Sequence, residues 1–138
     1  MRSAWYNSYM SITERSLYKD FKPVVSENAA YELKITKTGR LPFVSVKEHQ
    51  RRALLQCQKT LLVRIPDAVG GIGMQLPFDF MSLYGAVGYV VVCFYKPRKP
   101  KCLYYIRIDT FLEAEKSSKM KSISESDAIL IASHVTTQ

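Results

Sequence analysis

The chain has 138 residues, 47% hydrophobic and 23% charged, a length and balance that suit one domain with its own core. A net charge of +8 at pH 7 and a pI near 9.5 favour polyanions, nucleic acid or anionic lipid, as partners. No apolar run is long enough to span a bilayer and no signal-peptide apolar stretch follows the N-terminus, so neither a membrane nor an export route is expected. Cys57, Cys93 and Cys102 are odd in number and lack metal-type spacing. They read as reduced thiols of a cytoplasmic protein, in the host cytoplasm for a viral chain.

Residues 1–10, with Trp5 and several Tyr and Ser, have no clear period and read as a mobile arm or a dimer contact of a single 1–138 domain. Residues 11–21 have helical character, with Leu17 and Phe21 four apart, Thr13 as a candidate cap and Glu14 on the helix. Pro23 ends that helix. In residues 29–37, Tyr31, Leu33 and Ile35 alternate with Glu32, Lys34 and Thr36, which is the period of a strand. Glu32 and Lys34 therefore share one face, roughly 7 Å apart along the strand. Such a pair is either a solvated ion pair worth ~0–1 kcal/mol or a site. In a site the carboxylate takes a hard cation and the ammonium stabilises charge at a phosphate.

Thr38 and Gly39 turn the chain. Ser45 with Glu48 reads as the capping box of a helix. Val46, Gln50, Ala53 and Cys57 form its inward stripe. Gln50 needs partners, because a buried amide without them costs ~1–3 kcal/mol. His49 has no visible triad partner, and Arg51 and Arg52 fall toward solvent. Residues 61–65 read as a strand stopped by Pro66 and Asp67. Residues 70–73 are a glycine loop without the order of a phosphate cradle. Residues 76–80 read as a short strand carrying Asp79, and 88–95 as a strand buried on both faces. Residues 96–101 make a basic hairpin tip with Arg98 and Lys99. A returning strand over 103–108 lies nearer an edge, and Asp109 caps a helix to about 116. A polar linker covers 117–122, and Ser124 with Asp127 caps a last helix to 132. The expected fold is α/β, a central mixed sheet of about five strands flanked by helices.

Glu-x-Lys on a strand, the Leu41-Pro42-Phe43 loop and a helix opening Lys47-Glu48-His49-Gln50 together resemble the PD-(D/E)xK nuclease superfamily. Within it the stretch looks most like the RecU-type and archaeal Hjc-type Holliday-junction resolvases. The resemblance covers 29 to about 55, with a weaker match over 88–116. It implies a restriction-endonuclease-like core and a metal-dependent endonuclease acting on branched DNA such as four-way junctions. It implies Mg²⁺, replaceable by Mn²⁺, held by Glu32 and acidic partners, with Lys34 orienting the attacking water and Gln50 contacting water or phosphate. A two-fold symmetric junction calls for a homodimer.

The family's aspartate precedes the Glu-x-Lys strand. Here the upstream candidate, Asp20, ends a helix pattern, whereas Pro77-Phe78-Asp79-Phe80 matches the family strand better and lies downstream. A rearranged order follows, with Asp79 and Asp67 as further metal ligands and the Asp79 strand adjacent to the Glu32 strand. Glu14 matches a first-helix glutamate of such resolvases only weakly. Phosphate contacts are expected from Lys37, Arg40, Arg51, Arg52, Arg98 and Lys99. The competing expectation is a non-catalytic basic module that binds nucleic acid, with Glu32 and Lys34 as a surface pair.

Overall fold

In a computed structural model of the protein, residues 14–17, 21, 28–65 and 79–137 are described. The elements begin α1 (Glu14–Leu17), β1 (Ala29–Thr36), β2 (Arg40–Pro42), a 3-10 turn (Phe43–Ser45), α2 (Glu48–Gln56), β3 (Thr60–Arg64) and β4 (Phe80–Tyr84). They continue with β5 (Val87–Phe94), β6 (Cys102–Arg107), α3 (Ile108–Ser117), β7 (Ser122–Ser124), α4 (Glu125–Ile131) and β8 (His134–Thr137). The arm expected over 1–10, Asp20 and Asp67 lie outside the described residues, as does the side chain of Glu14.

The architecture is α/β, and its centre is β5. Seven of its eight residues are buried, which a strand achieves only with a layer on each face. The sheet order is β1-β5-β6-β8, with β1 parallel to β5 and the other pairings antiparallel. A parallel pair needs a long crossover. Here α2 and the β3–β4 ribbon supply it, so α2 lies across the sheet. Val90, Val92 and Phe94 face a core shared with Val46, Leu54, Phe111 and Ala128, from the segment before α2 and from α2, α3 and α4. Tyr89, Val91 and Cys93 face the opposite cluster, with Leu17 of α1 and Leu33 of β1. On that side Tyr31 stacks on Tyr89 at 5.6 Å between ring centroids.

Among the described residues four strands, not five, make the central sheet. The strands expected near 61–65 and 76–80 instead pair with each other as a separate β3–β4 ribbon. Residues 76–78 of the second lie outside the described residues, and the strand that pairs with β3 runs over Phe80–Tyr84, sharing only Phe80 with that expectation. The β6 strand is not at the edge, because β8 pairs along it, with Tyr105 opposite His134. The supposed linker ends in β7, which pairs with β2. Those short strands carry few apolar residues, so neither shows a period in the sequence. Ser124 and Asp127 cap α4 as expected, with Asp127 N–H donating to Ser124 Oγ at 3.2 Å. Two other caps differ. Ser45 donates to Pro42 O at 2.6 Å inside the 3-10 turn, and Lys47 is the N-cap of α2. Asp109 lies within the first turn of α3, where its carboxylate accepts from Gln58 Nε2 at 3.1 Å.

Candidate functional site

Strand alternation puts Tyr31, Leu33 and Ile35 against the α1-side core. Glu32 and Lys34 thereby point to the face that α2 crosses, opposite Val90 and Val92 in the strand register. Gln50 descends from the first turn of α2 and donates from Nε2 to Glu32 Oε1 at 2.7 Å. Lys34 Nζ lies 3.0 Å from the same oxygen. Oε2 of Glu32 is engaged by neither. The Lys34 side chain is 12% exposed and that of Glu32 26%. The pair is partly buried, so water screens it less than it would a fully exposed strand pair.

The orientation of Gln50 is over-determined. Its Oε1 accepts from the backbone N–H of Lys47, the N-cap, at 2.9 Å. An amide whose oxygen is held this way must turn its NH₂ to the other side, toward Glu32. The cap thus fixes the donor that the carboxylate receives. The helix itself can approach because β5 has Gly88 where α2 crosses. A Cβ there would sit 2.4 Å from Leu54 O. Gly88 pairs with Ala30, two residues before Glu32 on the same face. Gly88 was not foreseen as a site-forming residue; a glycine inside a run of β-branched residues marks close backbone approach.

Arg51 is a correction. It was expected to reach solvent and phosphate, but its side chain is only 15% exposed. It donates to Val46 O at 2.8 Å, to Phe43 O and to both oxygens of Glu115, and lies 5.9 Å over the Phe111 ring. The guanidinium fork is used up by the segment before α2 and by α3. Arg40 is likewise committed in part: Nε donates to Ser122 Oγ at 2.8 Å and Nη2 to Ser122 O at 3.0 Å, across the β2–β7 pair. Lys37, Arg52, Arg98 and Lys99 are exposed, as a phosphate contact requires. Lys37 and the basic tip share one end of the sheet, since Tyr95 N–H donates to Thr36 O at 2.8 Å.

Of the acidic partners expected for Glu32, the described one, Asp79, is not beside it. Asp79 is exposed and sits at the loop end of the β3–β4 ribbon, where its carbonyl accepts from Ile65 N–H at 2.8 Å. The neighbour of β1 is β5, so the expected adjacency of the Asp79 strand and the Glu32 strand is not found. The antiparallel match of Phe80–Tyr84 to Thr60–Arg64 draws β4 into the ribbon instead. Among the described residues no hydrogen bond or ion pair joins Asp79 to Glu32, and no group of three His, Cys, Asp or Glu could hold a metal.

The cysteines are free; Cys57 and Cys93 are buried. Burial pushes the Cys93 thiol up to about 11 and raises Cys57 as well, so neither is a ready nucleophile. No described helix is long and apolar enough to cross a membrane. Searches against family models, characterised proteins and solved structures returned no match.

Proposed function

We propose that the protein is a metal-dependent, structure-selective endonuclease that hydrolyses phosphodiester bonds in branched DNA, four-way junctions above all, as a homodimer. One observation carries this: a partly buried carboxylate on the face of β1 beneath α2, with a lysine and a glutamine both approaching one of its oxygens.

Mg²⁺ keeps several waters and binds through as few as one or two carboxylates. Glu32 Oε2 meets that lower limit, so the donor set fits a hydrated ion rather than a protein cage. Mn²⁺ suits the same oxygens. Asp67 is the proposed further ligand; Asp79, on the separate β3–β4 ribbon, is not. When bound, the ion polarises the scissile phosphate and lowers the pKa of its water. The chain's own part is positional and electrostatic. Gln50 holds Glu32 in one rotamer, and Lys34 places a positive charge where the phosphorane gathers negative charge. Lys37, Arg52, Arg98 and Lys99 would grip phosphates without reading bases.

The test is Glu32→Gln assayed on a synthetic four-way junction in Mg²⁺. Cleavage is expected to vanish while junction binding persists, and chelator is expected to silence the unmodified protein. Cleavage at an undiminished rate would refute the assignment. A second reading, a non-catalytic basic nucleic-acid-binding module, draws on the absence of a gathered acidic group among the described residues. It requires junction binding with no turnover in any divalent metal.

A further inference from the structure

The β3–β4 ribbon is a sheet of its own, and one of its faces is left open by the rest of the fold. The register sets Thr60 opposite Tyr84, Leu62 opposite Ser82 and Arg64 opposite Phe80. Alternation puts these six side chains on one face, and all six residues are exposed. Leu61, Val63 and Leu83, on the other face, are half-buried. Tyr84 is 77% exposed, Leu62 66% and Phe80 57%. Isolated exposed apolar residues need no explanation, but three aligned on one face do. The Tyr84 end is fixed to the body of the domain, since Asn28, just before β1, donates from Nδ2 to Tyr84 O at 3.0 Å.

Three of the six groups are planar: the rings of Phe80 and Tyr84 and the guanidinium of Arg64. Among the described residues neither ring packs on another ring or under a cation. Arg64 makes no ion pair or side-chain hydrogen bond among them either. The face carries no carboxylate: Asp79 adjoins Phe80 in sequence, but neighbours along a strand point to opposite sides. Phe80 and Tyr84 lie four residues apart, about 13 Å along the strand, so each can take a separate flat group. Open aromatic faces, an aliphatic side chain between them and one unpaired cation match flat bases strung on an anionic backbone. We infer that this face binds single-stranded DNA, with unpaired bases stacked on Tyr84 and Phe80, Leu62 packed between them and Arg64 on a phosphate. A second copy of the chain is a poor occupant. Two strands of five residues each offer a face of roughly 17 Å by 10 Å, far short of the ~800 Å² per partner of a stable interface. The inference goes beyond the junction reading, because a fully paired four-way junction offers no run of unpaired bases; only the choice of DNA over RNA rests on that reading.

The test uses the full chain in chelator, so that cleavage plays no part. A fluorescein-labelled oligothymidylate of about 12 nucleotides is titrated by anisotropy. A strand of the same length built from abasic units keeps every phosphate and removes every base. The thymidylate is expected to bind about tenfold or more tighter than the abasic strand. Tyr84→Ala and Phe80→Ala should each weaken thymidylate binding about fivefold or more and leave the abasic strand unaffected. Arg64→Gln should weaken both strands and lower the salt slope by about 0.7. All three residues are exposed, and an unchanged urea midpoint checks that the variants are folded. Leu130→Ala, at an exposed apolar residue of α4, should change nothing. No binding of the thymidylate, or equal binding of the two strands, overturns the inference. So does a Phe80→Ala, Tyr84→Ala double variant that binds the thymidylate as tightly as the unmodified protein. Tighter binding of oligouridylate would assign the face to RNA, and self-association that the double variant abolishes, without thymidylate binding, would assign it to a second copy; either result overturns the inference. Because binding is read without metal, its failure is distinct from a failure to cleave junctions.

Discussion

Two lysine–glutamate pairs in this protein have the same composition and opposite construction. In the first, Lys34 and Gln50 both approach Glu32 Oε1, and Oε2 is left over. In the second, Lys96 takes Glu125 Oε2 and the Tyr104 hydroxyl donates to Oε1 at 2.9 Å, so each oxygen has its own partner. Lys96 is 58% exposed and Lys34 12%. The Lys96 ammonium, bonded to Glu125, holds that carboxyl below its usual range. Glu125 closes the end of β5 onto α4. Glu32 instead gathers an ammonium and an amide on one oxygen, beneath α2 on the face of β1. What separates the two pairs is not charge pairing but how the partners are distributed over the carboxylate and which elements bring them there.

The largest expected contrast is between the two lysines. Lys34→Ala should lower kcat on a junction substrate about 10²-fold or more while leaving binding within about twofold, because its charge acts on the transition state. Lys96→Ala should leave both near their original values. An equal loss of binding and no loss of turnover in Lys34→Ala would make Lys34 a phosphate contact and erase the contrast.

Gly88→Ala sharpens the same comparison through the backbone. The added methyl meets Leu54 O, so α2 must lift away from β5. A cost of about 2–3 kcal/mol is expected, read as a lower urea midpoint. Gln50 should also release Glu32, seen as a shift of its side-chain amide resonances. The Glu125–Tyr104 pair should be undisturbed. An unchanged midpoint would mean the helix does not depend on the close approach.

The smallest effects are in pH. Burial first, then the Glu125 hydrogen bond, pushes the Tyr104 hydroxyl from 10.0 to about 12. A raised folded-state value means that its contribution is complete below pH 10 and is lost as pH rises through about 12. Tyr104→Phe should flatten that alkaline slope in urea melts. Glu125 has the opposite sign. Its depressed value gives a contribution present above about pH 4.5 and lost as pH falls through the lowered folded value. Glu125→Gln should remove that acid-side slope at a cost of ~0–1 kcal/mol near neutrality. Identical acid-side slopes would show that Glu125 braces nothing.

The site was more legible than its surroundings. Alternation over residues 29–36 placed Glu32 and Lys34 on one face, and the stripe of α2 pointed Gln50 at that face. Periodicity carries this information because it dictates direction. It says nothing about side-chain reach, which is why Arg51 was misplaced. Two residues along the helix from His49, it folds back over Phe111 to Glu115, distant in sequence by 64 positions. The displaced aspartate failed for a related reason. Strand character near Asp79 was readable, but the choice between β3 and β1 as partner depends on loop closure and register.

Composition and pattern alone settled the α/β class, the central buried strand, the α4 cap and the Glu32–Lys34 face, because burial and hydrogen-bond geometry act on neighbours a few residues apart. Tertiary structure alone decided which groups meet: Gln50 on Oε1 rather than on both oxygens, Arg51 spent on Glu115, the β3–β4 ribbon apart from the sheet, β8 covering β6, and the approach permitted at Gly88. Those outcomes depend on side chains brought together from far along the chain, where competition for partners and space has no local signature.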